Sequence, residues 1–215
     1  MPTCFIVGAG EFTPRGFQPE AEDCVIAADG GYLALQKLGV APRLLLGDFD
    51  SLGEAALPPS LPVRRYPARK DDTDMGIALA EGWRLGYRDF ALYGGSGGRA
   101  DHQIANIQSM CRYSRLGGRL RLIGREFDVY ALTNGALELP LRPRGSLVSV
   151  FCHGERARGV TLRGLSYPLT DATLTCDVPL GVSNEAESDQ IPARITVARG
   201  TVYIVAYGAE AVPQP

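Results

Sequence analysis

The hydrophobic period changes once along this chain of 215 residues, near residue 126, and the change separates two stretches that cannot share one architecture. Up to about Glu126, short apolar runs alternate with helical ones. Cys4–Val7, Cys24–Ala28, Arg43–Leu46, Phe90–Tyr93 and Leu120–Ile123 read as buried strands bounded by Gly or Asp. Over Thr73–Leu85, the residues Met75, Ala78, Leu79, Gly82 and Trp83 recur on one helical face, which places Trp83 on a core-facing stripe. Ile104, Ile107 and Cys111 recur in the same way over His102–Leu116, and Gly117-Gly118 stops that helix. Strands alternating with helices predict a parallel sheet covered on both faces.

Beyond Asp128 the helical period is gone. Val129–Leu132 and Leu137–Leu139 flank Asn134-Gly135, a hairpin signal. Ser146–Phe151, Gly159–Leu162, Ala172–Cys176, Arg194–Ala198 and Thr201–Ala206 follow as short strands, with Arg199-Gly200 as a further turn. That spacing predicts an antiparallel sandwich or barrel. The expectation is therefore an α/β domain over residues 1–126 and an all-β domain over 127–215, with Pro140, Pro143 and Gly145 beyond the junction.

Composition removes several functions. With 22 Lys+Arg against 24 Asp+Glu the net charge is −2, so no basic excess exists to hold nucleic acid or an anionic membrane. No apolar run approaches the ~20 residues that span a bilayer. The N-terminus lacks the basic start and long apolar stretch of a signal peptide. The five cysteines are scattered and never form Cys-x-x-Cys, so neither a disulfide framework nor a zinc knuckle is expected; they read as small buried apolar residues. Two histidines make a His-rich zinc site improbable. A cytoplasmic protein is the expectation.

The acids of the first half carry the chemistry. Asp29 follows the strand Cys24–Ala28 and precedes Gly30-Gly31. Asp48 and Asp50 lie in Gly47-Asp48-Phe49-Asp50-Ser51, after the strand Arg43–Leu46. Asp71, Asp72 and Asp74 open one helix in Lys70-Asp71-Asp72-Thr73-Asp74, and Asp101 opens the next after Gly94-Gly95-Ser96-Gly97-Gly98-Arg99-Ala100. Ligands of an open parallel sheet bind beyond the carboxyl ends of its strands, and all four clusters are expected to converge there. Clustered carboxylates need a cation, and oxygen-only ligands favour Mg²⁺, which takes one or two carboxylates plus phosphate oxygens and water. The glycine run offers bare backbone N–H groups to phosphate at a helix N-terminus, and Arg99 can add a bidentate contact. Metal on one side and donors on the other describe a nucleoside triphosphate site.

Taken singly, each element has a plainer use. Asp72, Thr73 and Asp101 suit helix N-caps, Gly94–Gly98 a flexible loop, and Asp48-Phe49-Asp50 a solvated turn. Their conjunction favours the site. Other phosphate motifs fail: neither Lys37 nor Lys70 follows a glycine, which excludes a P-loop, and Thr13 occupies the third glycine position after Gly8-Ala9-Gly10. Protein-kinase motifs and a Gly-x-Ser-x-Gly elbow are absent.

Ala28-Asp29-Gly30-Gly31, Gly47-Asp48-Phe49-Asp50-Ser51, Asp72-Thr73-Asp74, the segment Gly98-Arg99-Ala100-Asp101-His102-Gln103-Ile104-Ala105-Asn106, and Gly181-Val182-Ser183-Asn184-Glu185 together resemble the thiamine pyrophosphokinase (thiamin diphosphokinase) family, in order over residues 22–208. The resemblance implies a Rossmann-like catalytic domain followed by a thiamine-binding β-sandwich, in a homodimer with active sites between subunits. It implies transfer of the ATP pyrophosphoryl group to the thiamine hydroxyl, giving AMP. By position, Asp48, Asp50, Asp74 and Asp101 would be catalytic and hold Mg²⁺, with Asp101 also able to accept the hydroxyl proton. Asp29, Gly47, Asp72, Thr73, Gly95, Arg99 and His102 would bind ATP. Ser183 and Asn184, from the partner subunit, would bind thiamine. The alternatives are a pyrophosphokinase of related fold acting on a pterin alcohol, and a non-catalytic nucleotide or thiamine sensor.

Overall fold

A computed structural model describes residues 1–49, 57, 59–67, 69 and 71–208. It divides the chain into two compact units, Met1–Ser109 with Leu120–Arg125, and Met110–Arg119 with the chain from Glu126 onward.

The first unit is an open α/β sheet. Its strands are β1 (Thr3–Val7), β2 (Cys24–Ala28), β3 (Leu44–Gly47), β4 (Val63–Arg65), β5 (Asp89–Tyr93) and β6 (Arg119–Ile123). They lie in the order β6-β5-β1-β2-β3-β4, and the ladders β5–β1, β1–β2, β2–β3 and β3–β4 are parallel. Helices α1 (Gly31–Lys37), α2 (Asp74–Arg84) and the start of α3 (Ala100–Arg115) connect them. Strands buried on both faces need no polar alternation, and β2 is buried along its whole length. On β1, Phe5 and Val7 join the apolar cluster that includes Tyr32 and Leu35 of α1. The opposite face meets α2, where a β-carbon on Gly82 would fall 2.8 Å from the Cys4 sulfur. Helices thus cover both faces, as the alternation predicts.

Strand order sets where a ligand can go. From β1 the chain winds outward through β2, β3 and β4, then returns to place β5 and β6 on the other side of β1. The connections leaving β1 and β5 therefore diverge, opening a crevice at the strands' carboxyl ends.

Three expectations in this unit need correction. Short α1, edge strand β4 and their ranges were not legible as periodic runs. Trp83 is half-buried rather than core: it stacks on Phe90 at 6.3 Å, and the Arg88 guanidinium lies 3.8 Å above its ring. Ile104 is 59% exposed; Cys111 is buried as the spacing predicts, and Asn106, Met110 and Ser114 are buried beside it on α3.

The second unit is a β-sandwich built from few, long strands: β7 (Phe127–Glu138), β8 (Leu147–Arg163), β9 (Leu169–Thr175), β10 (Gly181–Glu185) and β11 (Arg194–Tyr207). Antiparallel pairing gives the order β10-β8-β11-β7, with β9 also on β8. The hairpin expected at Asn134-Gly135 is absent, because β7 runs straight through it. Asn134 adopts φ +47, and its side-chain oxygen accepts the Gly200 N–H at 2.8 Å across a register break in β11. The turn residues bend two paired strands at one place instead of reversing either. Likewise Ser146–Phe151 and Gly159–Leu162 are two parts of β8, and Arg194–Ala198 and Thr201–Ala206 two parts of β11. Bending folds each strand over itself, so Val148 and Val150 share one core with Val160, Leu162, Ile195 and Ile204.

Candidate active site

The crevice of the first unit holds a cavity of about 320 Å³. Its floor is glycine. Gly8 and Gly10 continue β1 beyond its last residue, donating N–H bonds to the Tyr93 and Gly94 carbonyls at 2.8 and 2.9 Å. The two chains run too close for side chains: a β-carbon on Gly10 would fall 2.6 Å from the Gly94 oxygen, and one on Gly94 only 2.2 Å from the Gly8 oxygen. Gly94 also adopts φ +62, so glycine is required there twice over. The wall is Gly95, Gly97, Gly98 and Arg99, followed by His102 and Asn106 on α3. Asn106 is buried, and its amide donates to the Gly95 carbonyl at 2.9 Å, fixing the glycine loop to the helix.

Opposite stand two acids. Asp29 leaves β2 at φ +47, a left-handed conformation that a short polar residue tolerates, with its N–H bonded to the Leu46 carbonyl at 2.7 Å. Asp74 is the first residue of α2, just after the Thr73 N-cap, whose hydroxyl accepts the Gly76 N–H at 3.0 Å. Asp72 in turn accepts the Thr73 N–H at 2.8 Å, and a β-carbon on Gly76 would fall 2.0 Å from its oxygen. The sequence Asp-Thr-Asp-Met-Gly therefore writes a tight helix start that presents Thr73 and Asp74 to the cavity.

Arg99 and Asp101 form a bidentate ion pair at 2.5 and 3.1 Å. Asp101 also accepts the His102 N–H at 3.0 Å. The Arg99 hydrogen bonds hold the Asp101 carboxyl down at about 2, well below the usual carboxylate range. At neutral pH Asp101 is thus a firmly ionised acceptor and a weak base.

A second cavity, about 420 Å³, opens in the β-sandwich between Leu162, Tyr167, Leu169, Leu180, Val182, Ser183 and their neighbours. Its character is apolar. Tyr167 is 65% exposed and Leu180 57%. Asn184 is buried and spent on the backbone: it accepts from Tyr167 N at 2.9 Å and donates to Tyr167 O at 2.7 Å, and accepts from Glu185 N at 2.9 Å. This amide clamp fixes the chain that carries Tyr167. Ser183 adopts φ +54, and its N–H donates to Ser149 Oγ at 3.0 Å.

Two sequence profiles match the chain, one described as the thiamin pyrophosphokinase catalytic domain over residues 19–122 and the other as its vitamin B1 binding domain over residues 136–202. The chain belongs to the thiamin pyrophosphokinase family. A curated thiamine pyrophosphokinase from Bacillus subtilis is 31% identical over 168 residues, spanning 74% of this chain and 77% of that one. A crystal structure of thiamine pyrophosphokinase from the same organism superposes with a TM-score of 0.84 at 25% identity, covering 97% of this chain and 100% of that one. One from Geobacillus thermodenitrificans gives 0.82 at 27% identity, with 97% and 99% covered. The Candida albicans structure, at 14% identity and a TM-score of 0.72 over 95% and 90%, shares the fold.

Within this thiamin pyrophosphokinase chain, Asp29, Thr73, Asp74, Gly95, Arg99 and His102 line the first cavity, and Ser183 and Asn184 line the second. Gly47, Asp48, Asp72 and Asp101 are not among the lining residues, and Asp50 lies outside the described residues. Gly47 sits against Asp29, at 3.1 Å from its α-carbon for a β-carbon that glycine lacks. Among the described residues, no group of three or more His, Cys, Asp and Glu side chains is spaced to hold a metal. The sequence reading missed Gly8, Gly10 and Asn106, although a Gly-x-Gly directly after a strand was a signal. It also missed Tyr167, an aromatic beside Pro168 in a strand-ending loop.

Proposed function

We propose that this chain transfers the pyrophosphoryl group of ATP to the hydroxyl of thiamine, giving thiamine diphosphate and AMP. The observation that carries the reading is the glycine-floored cavity at the β1/β5 divergence, with cationic and acidic side chains on opposite walls, in a member of this family.

ATP would lie with its phosphates against the backbone N–H groups of the Gly94–Gly98 loop and the start of α3, where Arg99 and His102 add contacts. Asp29, Gly47, Asp72, Thr73 and Gly95 shape this nucleotide pocket. The thiamine hydroxyl oxygen bonds to the β-phosphorus while the bond from that phosphorus to the oxygen bridging the α-phosphate breaks. AMP leaves, and the hydroxyl proton passes to a carboxylate or to water. Such transfer needs positioning and charge neutralisation more than covalent help from the protein.

The donor set fits Mg²⁺. Asp29 and Asp74 bring hard carboxylate oxygens to the cavity, and Mg²⁺ needs only one or two of these beside phosphate oxygens and water, so a three-ligand protein cage is not required. Asp74 would hold the ion, shared as the sequence resemblance implies among Asp48, Asp50 and Asp101 according to which one or two face the phosphates. When bound it would neutralise charge developing on the phosphates. The ion pair with Arg99 gives Asp101 the further role of orienting that guanidinium, beside metal binding or acceptance of the hydroxyl proton.

In the second unit, Ser183 and the clamped Tyr167 would face thiamine, the aromatic ring lying against the substrate's rings and Asn184 holding it there. The two domains of residues 1–126 and 127–215 would divide the work between nucleotide and thiamine. A homodimer with active sites between subunits belongs to the same proposal; exposed Val182 on edge strand β10 and Leu180 just before it support it. So does a cytoplasmic location, which the free cysteines favour. No helix among the described residues is long and apolar enough to cross a membrane.

Incubation with ATP, Mg²⁺ and thiamine tests the reading. AMP with thiamine diphosphate is the expected outcome. ADP would indicate simple kinase chemistry, and turnover only with a pterin alcohol, or none at all, would replace the proposal.

A further inference from the structure

Five described residues other than glycine have a left-handed backbone: Asp29, Phe49, Asn134, Asp171 and Ser183. Four are short polar residues, of the kind that tolerates it. Phe49, at φ +63, is the bulky exception, and a bulky residue in that region persists only where its surroundings over-determine it. Those surroundings can be named. Its side chain is 5% exposed, within the apolar cluster that includes Tyr32, Leu35, Leu45 and Tyr93. The Arg65 guanidinium lies 5.2 Å from the ring centroid, closing over it from the edge strand β4.

The chain is pinned just ahead of this ring as well. The Leu46 carbonyl accepts the Asp29 N–H at 2.7 Å from one side, and the Gly47 carbonyl accepts the Tyr66 N–H at 3.0 Å from the other. Asp48 therefore stands between two fixed points, the paired end of β3 and the buried ring. Filling the core does not by itself explain this arrangement, because an apolar residue in extended backbone would fill it without a left-handed φ. Relieving the backbone would call for Gly or Asn, and neither could anchor the turn.

We infer that Phe49 is a positioning residue: its buried ring, capped by Arg65, fixes the Asp48-Phe49 segment after β3 and thereby the direction in which Asp48 would meet the nucleotide-bound Mg²⁺. The inference rests on the proposed role of Asp48, and the test separates the two.

Phe49→Gly removes ring and strain together, Phe49→Leu keeps apolar bulk, and Arg65→Gln alters only an exposed side chain. For each, Mn²⁺ binding in the presence of α,β-methylene-ATP is followed by electron paramagnetic resonance, beside metal-free AMP affinity and the melting temperature. Phe49→Gly is expected to weaken Mn²⁺ binding about 10- to 100-fold with AMP affinity kept within about twofold, as loss of an orienting residue does. Phe49→Leu falls between. Arg65→Gln, which guards against a Phe49 variant that fails to fold, weakens Mn²⁺ by about threefold at unchanged melting temperature. Asp48→Asn reports on the reading itself: wild-type Mn²⁺ binding there refutes the role of Asp48. If Asp48→Asn loses the metal while Phe49→Gly and Arg65→Gln bind it as wild type does, the inference falls and the reading stands. Equal losses of AMP and Mn²⁺ affinity in Phe49→Gly would also overturn it, since that marks general loosening.

Discussion

The two units build their cavities from opposite materials. In the first, the cavity floor is backbone: glycines let the segments after β1 and β5 pair closely in a crevice that parallel strand order opens, and side chains stand at its rim. In the second, the backbone is folded over an apolar core and the cavity is lined by exposed side chains, among them Tyr167 beside the Asn184 clamp. On the proposed function, a polyanion would be met by dipoles and charges, and a flat organic ring by apolar surface. The same contrast predicts how each fails. A lost charge in the first unit removes catalysis while leaving the fold, whereas a lost clamp in the second costs both stability and substrate affinity.

The largest expected effect is at Asp74. Asp74→Asn should lower turnover about 10²- to 10³-fold, as removal of one electrostatic contact at a developing charge does. Stability should change by about 1 kcal/mol or less, the worth of a charge at a helix N-terminus. Steady-state AMP release and thermal melting measure the two. Turnover near wild type at saturating Mg²⁺ would break the contrast on its catalytic side.

Next come Tyr167 and Asn184. Tyr167→Ala should raise KM for thiamine about tenfold by losing ring contact, with KM for ATP and the melting temperature unchanged because the side chain is mostly exposed. Asn184→Ala should move KM the same way and lower stability by about 1 kcal/mol, since it removes the hydrogen bonds that a buried amide makes to part-buried backbone groups of Tyr167 and Glu185. An Asn184→Ala protein of wild-type stability would contradict the clamp.

Much of the first unit was legible because each signal was local. Buried strands five residues long, a Thr N-cap and a glycine stop all announce themselves within one window of sequence. Lost were features fixed from outside the window. Short α1 forms because Gly31 lets it pack on β1, where a β-carbon would fall 1.9 Å from the Val7 oxygen. Ile104 reads as core by spacing, yet α3 turns Asn106 and Met110 inward instead. In the second unit the sandwich was legible and its connectivity was not. Asn134-Gly135 signals a reversal, but pairing with β11 on both sides keeps β7 going and leaves a bend. For the cavity, Gly8-Ala9-Gly10 had been set aside for lacking a third glycine, although two suffice where the Gly94 segment comes alongside. Tyr167 gave no periodic signal at all.

The smallest effect concerns the frame that carries α2. Glu81, nearly buried, accepts from Arg84 at 2.7 and 3.0 Å and pairs with Arg64 of β4 at 2.7 Å. Hydrogen bonding to Arg84, opposed by burial and helped by both arginine charges, holds its carboxyl below the usual glutamate value. A carboxyl depressed in the folded state adds stability above its ordinary pKa, and this is lost as pH falls through the lower folded value. As pH falls below the ordinary glutamate pKa the wild type should therefore lose more stability than Glu81→Gln does, by about 1 kcal/mol or less because the arginines are solvent-screened, read as a larger drop in melting temperature. Parallel melting curves for the two proteins would remove Glu81 from the frame.

The most direct test is a crystal structure with Mg²⁺ and α,β-methylene-ATP, whose scissile link cannot break. The phosphates should lie on the backbone of Gly94–Gly98 beside Arg99, with Asp74 turned toward the metal. A nucleotide bound elsewhere, with the glycine floor of Gly8 and Gly10 left to solvent, would contradict the account.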